Sequence, residues 1–255
     1  TRRGTACRPR IRRGPIAVPN RSLRRLFRRV VERVSFAHRH VDWSDKLVTA
    51  EQVRYVRGLG HLYDRIHDVP GHLIELGVGR GRNAVILGTL VREAGQDAFR
   101  RYYGFDTFSG YPEDVRRREP HLDGGAHRDT SLSFVEEIRD RNDLGRLCRF
   151  VAGDFRRTIP ALLASGDDEL QGFAPGALRV ALVYVDCNAR EPAEAALALL
   201  HPHLSDGAVI AVDERRQGGE LQALEHFCAE HGLTLRAGES GIVSAWTHFH
   251  RREDA

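Results

Sequence analysis

Lysine is almost absent from this chain: among its 39 basic residues only Lys46 is not arginine. A bias that uniform looks compositional, of the kind a GC-rich genome produces, and says little about partners. Long apolar runs are missing too. No stretch of 18 apolar residues occurs, which excludes a membrane-spanning helix. The cysteines, Cys7, Cys148, Cys187 and Cys228, lie far apart with no CxxC spacing. That argues against a zinc ribbon and against a secreted disulfide framework. Residues 1–20 lack the apolar core of a secretory signal, so the expected location is cytoplasmic. No Gly-Lys-Ser/Thr follows a glycine turn, which excludes a P-loop, and no internal repeat is present.

What is present divides unevenly. The net charge of +4 conceals thirteen Arg against Glu32 in residues 1–40, a local +12, which leaves −8 on the remainder. Residues 1–20, with Pro9, Pro15 and Pro19 among many Arg, read as a disordered basic arm. In "SLRRLFRRVVERVSF" (22–36), Leu23, Leu26, Phe27, Val30, Val31 and Val34 fall at helical spacing with arginines on the outer face. That helix packs over the domain or against a second subunit in a homo-oligomer. The alternative is a basic face laid on an anionic membrane or nucleic acid. The acidic character of the rest argues against nucleic acid as the partner. At 255 residues the chain buries one large core. The expected organisation is a basic arm over 1–20, a helical cap over 21–70 and an α/β domain over 71–255.

From a helix around 49–67 onward, strands and helices alternate. Strands are expected at 72–78, 101–106, 148–154, 179–186 and 208–214, with helices at 81–95, 131–142, 157–164, 192–201 and 217–231. Continuous apolar strands separated by helices predict a Rossmann-like, doubly wound sheet, mostly parallel. "LTLRAGE" and "IVSAWTHF" face each other across Ser240-Gly241 and predict a C-terminal antiparallel hairpin.

Acidic residues recur at the carboxyl ends of these strands: Asp106, Asp154, Asp186 and Asp213, with Glu75 near the end of the first. In an open parallel sheet the ligand crevice lies at that end, so five carboxylates converge on one rim. Between the first strand and its helix stand Gly77, Gly79 and Gly81, which let backbone approach a ligand closely. The spacing departs from the dinucleotide fingerprint G-x-G-x-x-G, because the third glycine comes one residue early. The pairs His38/His40, His201/His203 and His248/His250 lack a third ligand at metal spacing and read as solvated surface.

The stretch "ELGVGRG" (75–81) resembles motif I of class I S-adenosylmethionine-dependent methyltransferases, whose sheet also ends in an antiparallel hairpin. An acidic rim suits that cation-bearing ligand and repels a dinucleotide's phosphates. The resemblance implies that Glu75 and the turn of Gly77, Gly79 and Gly81 face the methionine part and that Asp106 faces the ribose hydroxyls. It places Asp154 at the adenine amino group, unless Asp154 only caps the helix beginning near residue 157.

A narrower resemblance follows from the order of "YYGFDTFSGYPED" (102–114), "GDFRRTIPALL" (153–163), "VDCNAREP", "LHPHLSDGA" and "VIAVDER". It is to the macrocin O-methyltransferase-like family, sugar O-methyltransferases of antibiotic biosynthesis. It implies Mg²⁺-dependent methylation of a sugar hydroxyl on a small molecule, with Asp186, Asp213 and Glu214 as metal ligands and Asp186 doubling as base. This chain departs from that pattern at Asn188, where the family has a second aspartate. It departs again at Glu214, where the family pairs two aspartates, and at Arg215, where an aromatic residue is usual. Residues 107–135 match no pattern. The rival readings are N- or C-methylation or S-adenosylmethionine chemistry other than methyl transfer on the same fold, and an RNA methyltransferase using the basic arm, with an NAD-dependent dehydrogenase a distant one.

Overall fold

The computed structural model describes residues 49–122, 130–213, 219–237 and 242–247. The basic arm, the helix over 22–36, Glu214, the hairpin tip, His38/His40 and His248/His250 lie outside the described residues. Helix α1 (Ala50–Ile66) places Tyr55, Leu59, Leu62, Tyr63 and Ile66 on one buried stripe. Its end is closed by tertiary structure: the buried Arg100 guanidinium donates to Ile66 O (3.1 Å) and Val69 O (2.5 Å). Carbonyls of a last helical turn need such donors from outside the helix.

Seven strands follow in chain order: β1 (His72–Leu76), β2 (Tyr102–Asp106), β3 (Cys148–Ala152), β4 (Val180–Val185), β5 (Leu204–Asp213), β6 (Leu235–Ala237) and β7 (Ile242–Trp246). They form one sheet in the order β3-β2-β1-β4-β5-β7-β6. The first five are parallel, and β7 inserts antiparallel between β5 and β6. The expected sheet and terminal hairpin are therefore present. Helices α2 (Arg82–Glu93), α3 (Glu113–Arg118), α4 (Leu132–Arg141), α5 (Phe155–Ser165), α6 (Arg190–Leu200) and α7 (Gly219–His231) connect the strands. Alternation along each strand splits the core in two. Leu182 and Tyr184 face the layer of α1, α2 and α4, while Val183 and Val185 face α5, α6 and α7. Burial on both faces explains the unbroken apolar run of β4.

Two element starts and one helix stand out against expectation. Strand β5 begins at Leu204 rather than 208, because Val180 already pairs with Leu204 ahead of a register shift. Helix α5 begins at Phe155, since Asp154 caps it. Helix α3 was not expected at all. It has six residues, three of them Arg, and buries only Val115, so no periodicity announces it. Tertiary contacts hold it instead. Arg118 pairs with Glu191 (2.9 Å), and the Glu119 carboxylate accepts from Arg190 N and Glu191 N at the start of α6. No described helix is long and apolar enough to cross a membrane.

His72, at the amino end of β1, is buried and its Nδ1 accepts from Arg101 N (3.1 Å) beside the rings of Tyr103 and Phe173. Burial, above all, lowers its pKa from 6.5 to about 4. The unfolded chain therefore takes up this proton first as pH falls. The stability tied to neutral His72 is complete above 6.5 and is lost progressively down to the folded value. Urea unfolding should show wild type losing roughly 2 kcal/mol more than a His72→Asn variant between pH 7 and 5. Equal losses would refute this assignment.

Candidate functional site

The chain leaves β1 toward β2 on one side and β4 toward β5 on the other, so β1 and β4 flank the switch point of the sheet. A cleft opens there beyond the carboxyl ends, lined by Gly77, Gly79, Asp106, Tyr111, Asp154 and Asp186 among others. Five of the nine residues expected at the site thus meet in one place.

Gly77 carries the closest approach. Its φ is +96°, its N–H donates to Phe105 O (2.9 Å), and Asp186 N donates to Leu76 O (2.8 Å) beside it. A Cβ at Gly77 would lie 2.2 Å from Asp186 O. Gly79, at φ +55°, differs: a methyl there meets no protein atom within 4 Å. Gly81, at φ +79°, stands at the N-cap of α2. The turn thus brings bare backbone to the cleft, ahead of a helix N-terminus.

Asp106 ties this turn to β2. Its Oδ2 accepts from Val78 N (2.9 Å) and Gly79 N (3.0 Å), and Oδ1 accepts from Phe108 N (2.8 Å). From the far side, Thr130 Oγ1 donates to Gly79 O (2.6 Å). Glu75 does not reach the cleft, contrary to expectation, and lies fully buried beneath the turn. Asn83 Nδ2 donates to its Oε1 (2.6 Å), the Tyr102 hydroxyl donates to Oε2, and Tyr55 in turn donates to Asn83 Oδ1 (2.6 Å). A strand's side chains alternate between its faces, and Glu75 points into the layer of α1 and α2. Burial, above all, pushes its carboxyl well above 4.5; the Asn83 bond opposes this, while the charges of Asp186 and Asp106 add to it. Arg82 opposes it weakly and stacks over the Tyr55 ring at 3.8 Å.

Asp154 lines the cleft and also caps α5, accepting from Arg156 N (3.0 Å). Both of its oxygens accept from the Arg156 guanidinium, which holds the carboxyl below its usual range. The same guanidinium donates to Asp114 of α3 (2.7 Å) and to Glu191 of α6 (3.2 Å). Sequence pattern offered no hint of this junction, because its members are 2, 42 and 35 residues apart.

Val185 pairs with Val212, so the next residues, Asp186 and Asp213, stand side by side at the ends of β4 and β5. Asp213 is buried, and Glu214 lies outside the described residues. Among the described residues no group of three His, Cys, Asp or Glu side chains is placed to hold a metal ion. His201 is exposed, stacks on His231 at 3.9 Å and does not line the cleft.

Residues 74–215 match the family model described as "Methyltransferase domain". A relative from Streptomyces olivaceus, 8-demethyl-8-(2,3-dimethoxy-alpha-L-rhamnosyl)-tetracenomycin-C 4'-O-methyltransferase, is 25% identical over 217 residues, which is 81% of this chain and 78% of that protein. The calicheamicin methyltransferase CalS11 superposes with a TM-score of 0.61 at 26% identity, over 78% of this chain and 80% of that one. A second, apo structure of CalS11, described as a TDP-rhamnose 3'-O-methyltransferase, gives 0.59 at 25% identity, over 78% and 81% of the two chains. The O-methyltransferase NovP shares the fold at 21% identity, with a TM-score of 0.63 over 80% and 84%.

The glycines differ in what they tolerate. Gly77→Ala collides with backbone and should cost about 2 kcal/mol or more in urea unfolding, whereas Gly79→Ala should cost only about 1. The ranking fails if the two are equal. Glu75→Gln removes a group whose folded pKa is raised. Wild type should therefore lose stability relative to this variant as pH rises above about 4.5. Parallel melting curves from pH 4 to 8 would contradict that.

Proposed function

The chain belongs to the methyltransferase-domain family and is an S-adenosylmethionine-dependent methyltransferase, and from that premise we propose that it O-methylates a sugar hydroxyl on a natural product in the cytoplasm. One observation carries the reading: an acidic cleft at the switch point joins the bare backbone of Gly77 and Gly79 to Asp186. The acceptor class rests on the two relatives whose descriptions name rhamnose.

The cleft fits the cofactor. Gly79 leaves open space where any side chain would project, and the rim carboxylates complement a ligand bearing an ammonium and a sulfonium. Gly77, Gly79 and Gly81 would hold the methionine end. Asp106 orders the turn and keeps acceptor capacity toward ribose hydroxyls, and Asp154 faces the adenine end while Arg156 steadies it. Glu75 acts through the turn that it supports from below. When bound, S-adenosylmethionine supplies an electrophilic S-methyl group. Asp186 takes the proton of the acceptor hydroxyl, and orientation of that hydroxyl by the cleft contributes much of the rate.

Asp186 and Asp213 are adjacent hard-oxygen donors of the kind that bind Mg²⁺, with Glu214 as the proposed third ligand. Such an ion supplies a Lewis acid that lowers the pKa of a sugar hydroxyl.

Calorimetry should give micromolar binding of S-adenosylhomocysteine without metal. Methyl transfer to TDP-rhamnose or a rhamnosyl glycoside should then fall with EDTA and return with Mg²⁺. Asp186→Asn should lower kcat by at least about a hundredfold and leave S-adenosylhomocysteine affinity within about threefold. Transfer only to amines would overturn the acceptor class, and indifference to EDTA would remove the metal.

A further inference from the structure

One pair of cleft side chains takes no part in the cofactor and metal roles above. Tyr111 lies in the loop between β2 and α3, and Asn188 lies two residues beyond Asp186; both line the cleft beside it. The Asn188 side chain neighbours the Tyr111 hydroxyl. Sequence pattern marks Asn188 only as a departure from the resembling family.

Both residues are held from several directions. Asn188 has φ +56°, in the left-handed region that Asn, Asp and Gly tolerate best. Its carbonyl accepts from Gly219 N (3.3 Å) at the start of α7, so two chain segments fix its backbone. The Tyr111 loop is braced by Thr107, whose hydroxyl donates to Gly110 O (2.6 Å), and by Asp106, which accepts from Phe108 N. Burial, above all, raises the Tyr111 pKa, with Cys187, Glu220 and Asp186 adding to the shift and Asn188 opposing it. The phenol keeps its proton.

The chemistry of the lining then separates by role. Asp106, Asp154 and Asp186 present carboxyl oxygens as acceptors. Thr107 is engaged with Gly110, and the buried Cys187 thiol donates to Ala189 O (3.4 Å). Among the described lining side chains, Tyr111 and Asn188 are the other two that carry an O–H or N–H donor. A phenol carries one O–H donor and a primary amide two N–H donors. A sugar needs this complement: each hydroxyl both donates and accepts, and a wall of carboxylates answers only half of that.

We propose that Tyr111 and Asn188 bind the acceptor sugar, donating to the oxygen next to the hydroxyl that Asp186 deprotonates, and so select which hydroxyl is methylated. This rests on the sugar O-methyltransferase reading and names its specificity residues. The position that carries a carboxylate in the resembling family here serves recognition, and proton removal stays with Asp186.

The test compares wild type with Tyr111→Phe, Asn188→Gly and the double variant, using TDP-rhamnose and a rhamnosyl glycoside as acceptors. Glycine accepts the backbone angle at 188, and phenylalanine keeps the ring at 111. Each single change should raise acceptor KM by about tenfold, with a smaller effect on kcat. Affinity for S-adenosylhomocysteine should stay within about twofold and the melting temperature close to wild type. The double variant should fall short of the product of the singles, and NMR of the product should reveal more than one methylated position. Unchanged KM with a single product, or a loss of S-adenosylhomocysteine affinity parallel to KM, would overturn the proposal. If wild type binds S-adenosylhomocysteine but methylates no sugar, the underlying reading fails and this inference falls with it. If wild type methylates a sugar and the variants match it, this inference alone fails.

Discussion

The contact between Gly77 and the backbone of Asp186 is the constraint from which the rest of the site follows. No side chain fits there, since a single added carbon would sit 2.2 Å from a carbonyl oxygen. Because β1 and β4 approach this closely, the turn after one and the acid after the other share a wall of the cleft. The connections then diverge to opposite sides of the sheet and leave the gap open. A close approach of this kind needs φ > 0 as well as space, and glycine supplies both.

The turn is supported from below and from the side by different kinds of chemistry. Beneath it, Tyr55, Asn83, Glu75 and Tyr102 form a chain of buried hydrogen bonds linking α1, α2, β1 and β2. A buried network is stabilising only when its members are satisfied, and the carboxyl at its centre has a donor on each oxygen. Beside the turn, Asp106 works closer to solvent and accepts backbone N–H groups directly. Two acids near one turn therefore have opposite electrostatic tasks. One is pushed toward its neutral form by burial, and the other offers negative charge to the peptide dipoles of the turn.

Across the cleft, Arg156 organises the wall opposite the turn. Its five donors reach Asp154, Asp114 and Glu191, so one guanidinium joins the end of β3, the short α3 and the start of α6. A planar fork satisfies several carboxylates at once in a way that lysine cannot. The arginine bias of the composition thus acquires structural use here, whatever its origin. Helix α3 has too little apolar surface to dock by burial, and charge contacts hold it over the cleft.

Local sequence pattern carries the layered architecture, the parallel strands with their terminal hairpin, and the end of the sheet at which the cleft opens. Those properties reside in local periodicity and in glycine and acid placement relative to strand ends, which neighbours along the chain express without help. Gly77, Gly79, Asp106, Asp154 and Asp186 were legible for that reason. Tertiary structure alone decided the surroundings of Glu75, because a strand position does not say which side chains wait in the layer it faces. It alone decided the pairing of Asp154 with Arg156, the existence of α3 and the meeting of Tyr111 with Asn188. Each of these depends on groups that are distant in sequence and brought within hydrogen-bond range only after the sheet has formed, and no local pattern encodes a partner 77 residues away.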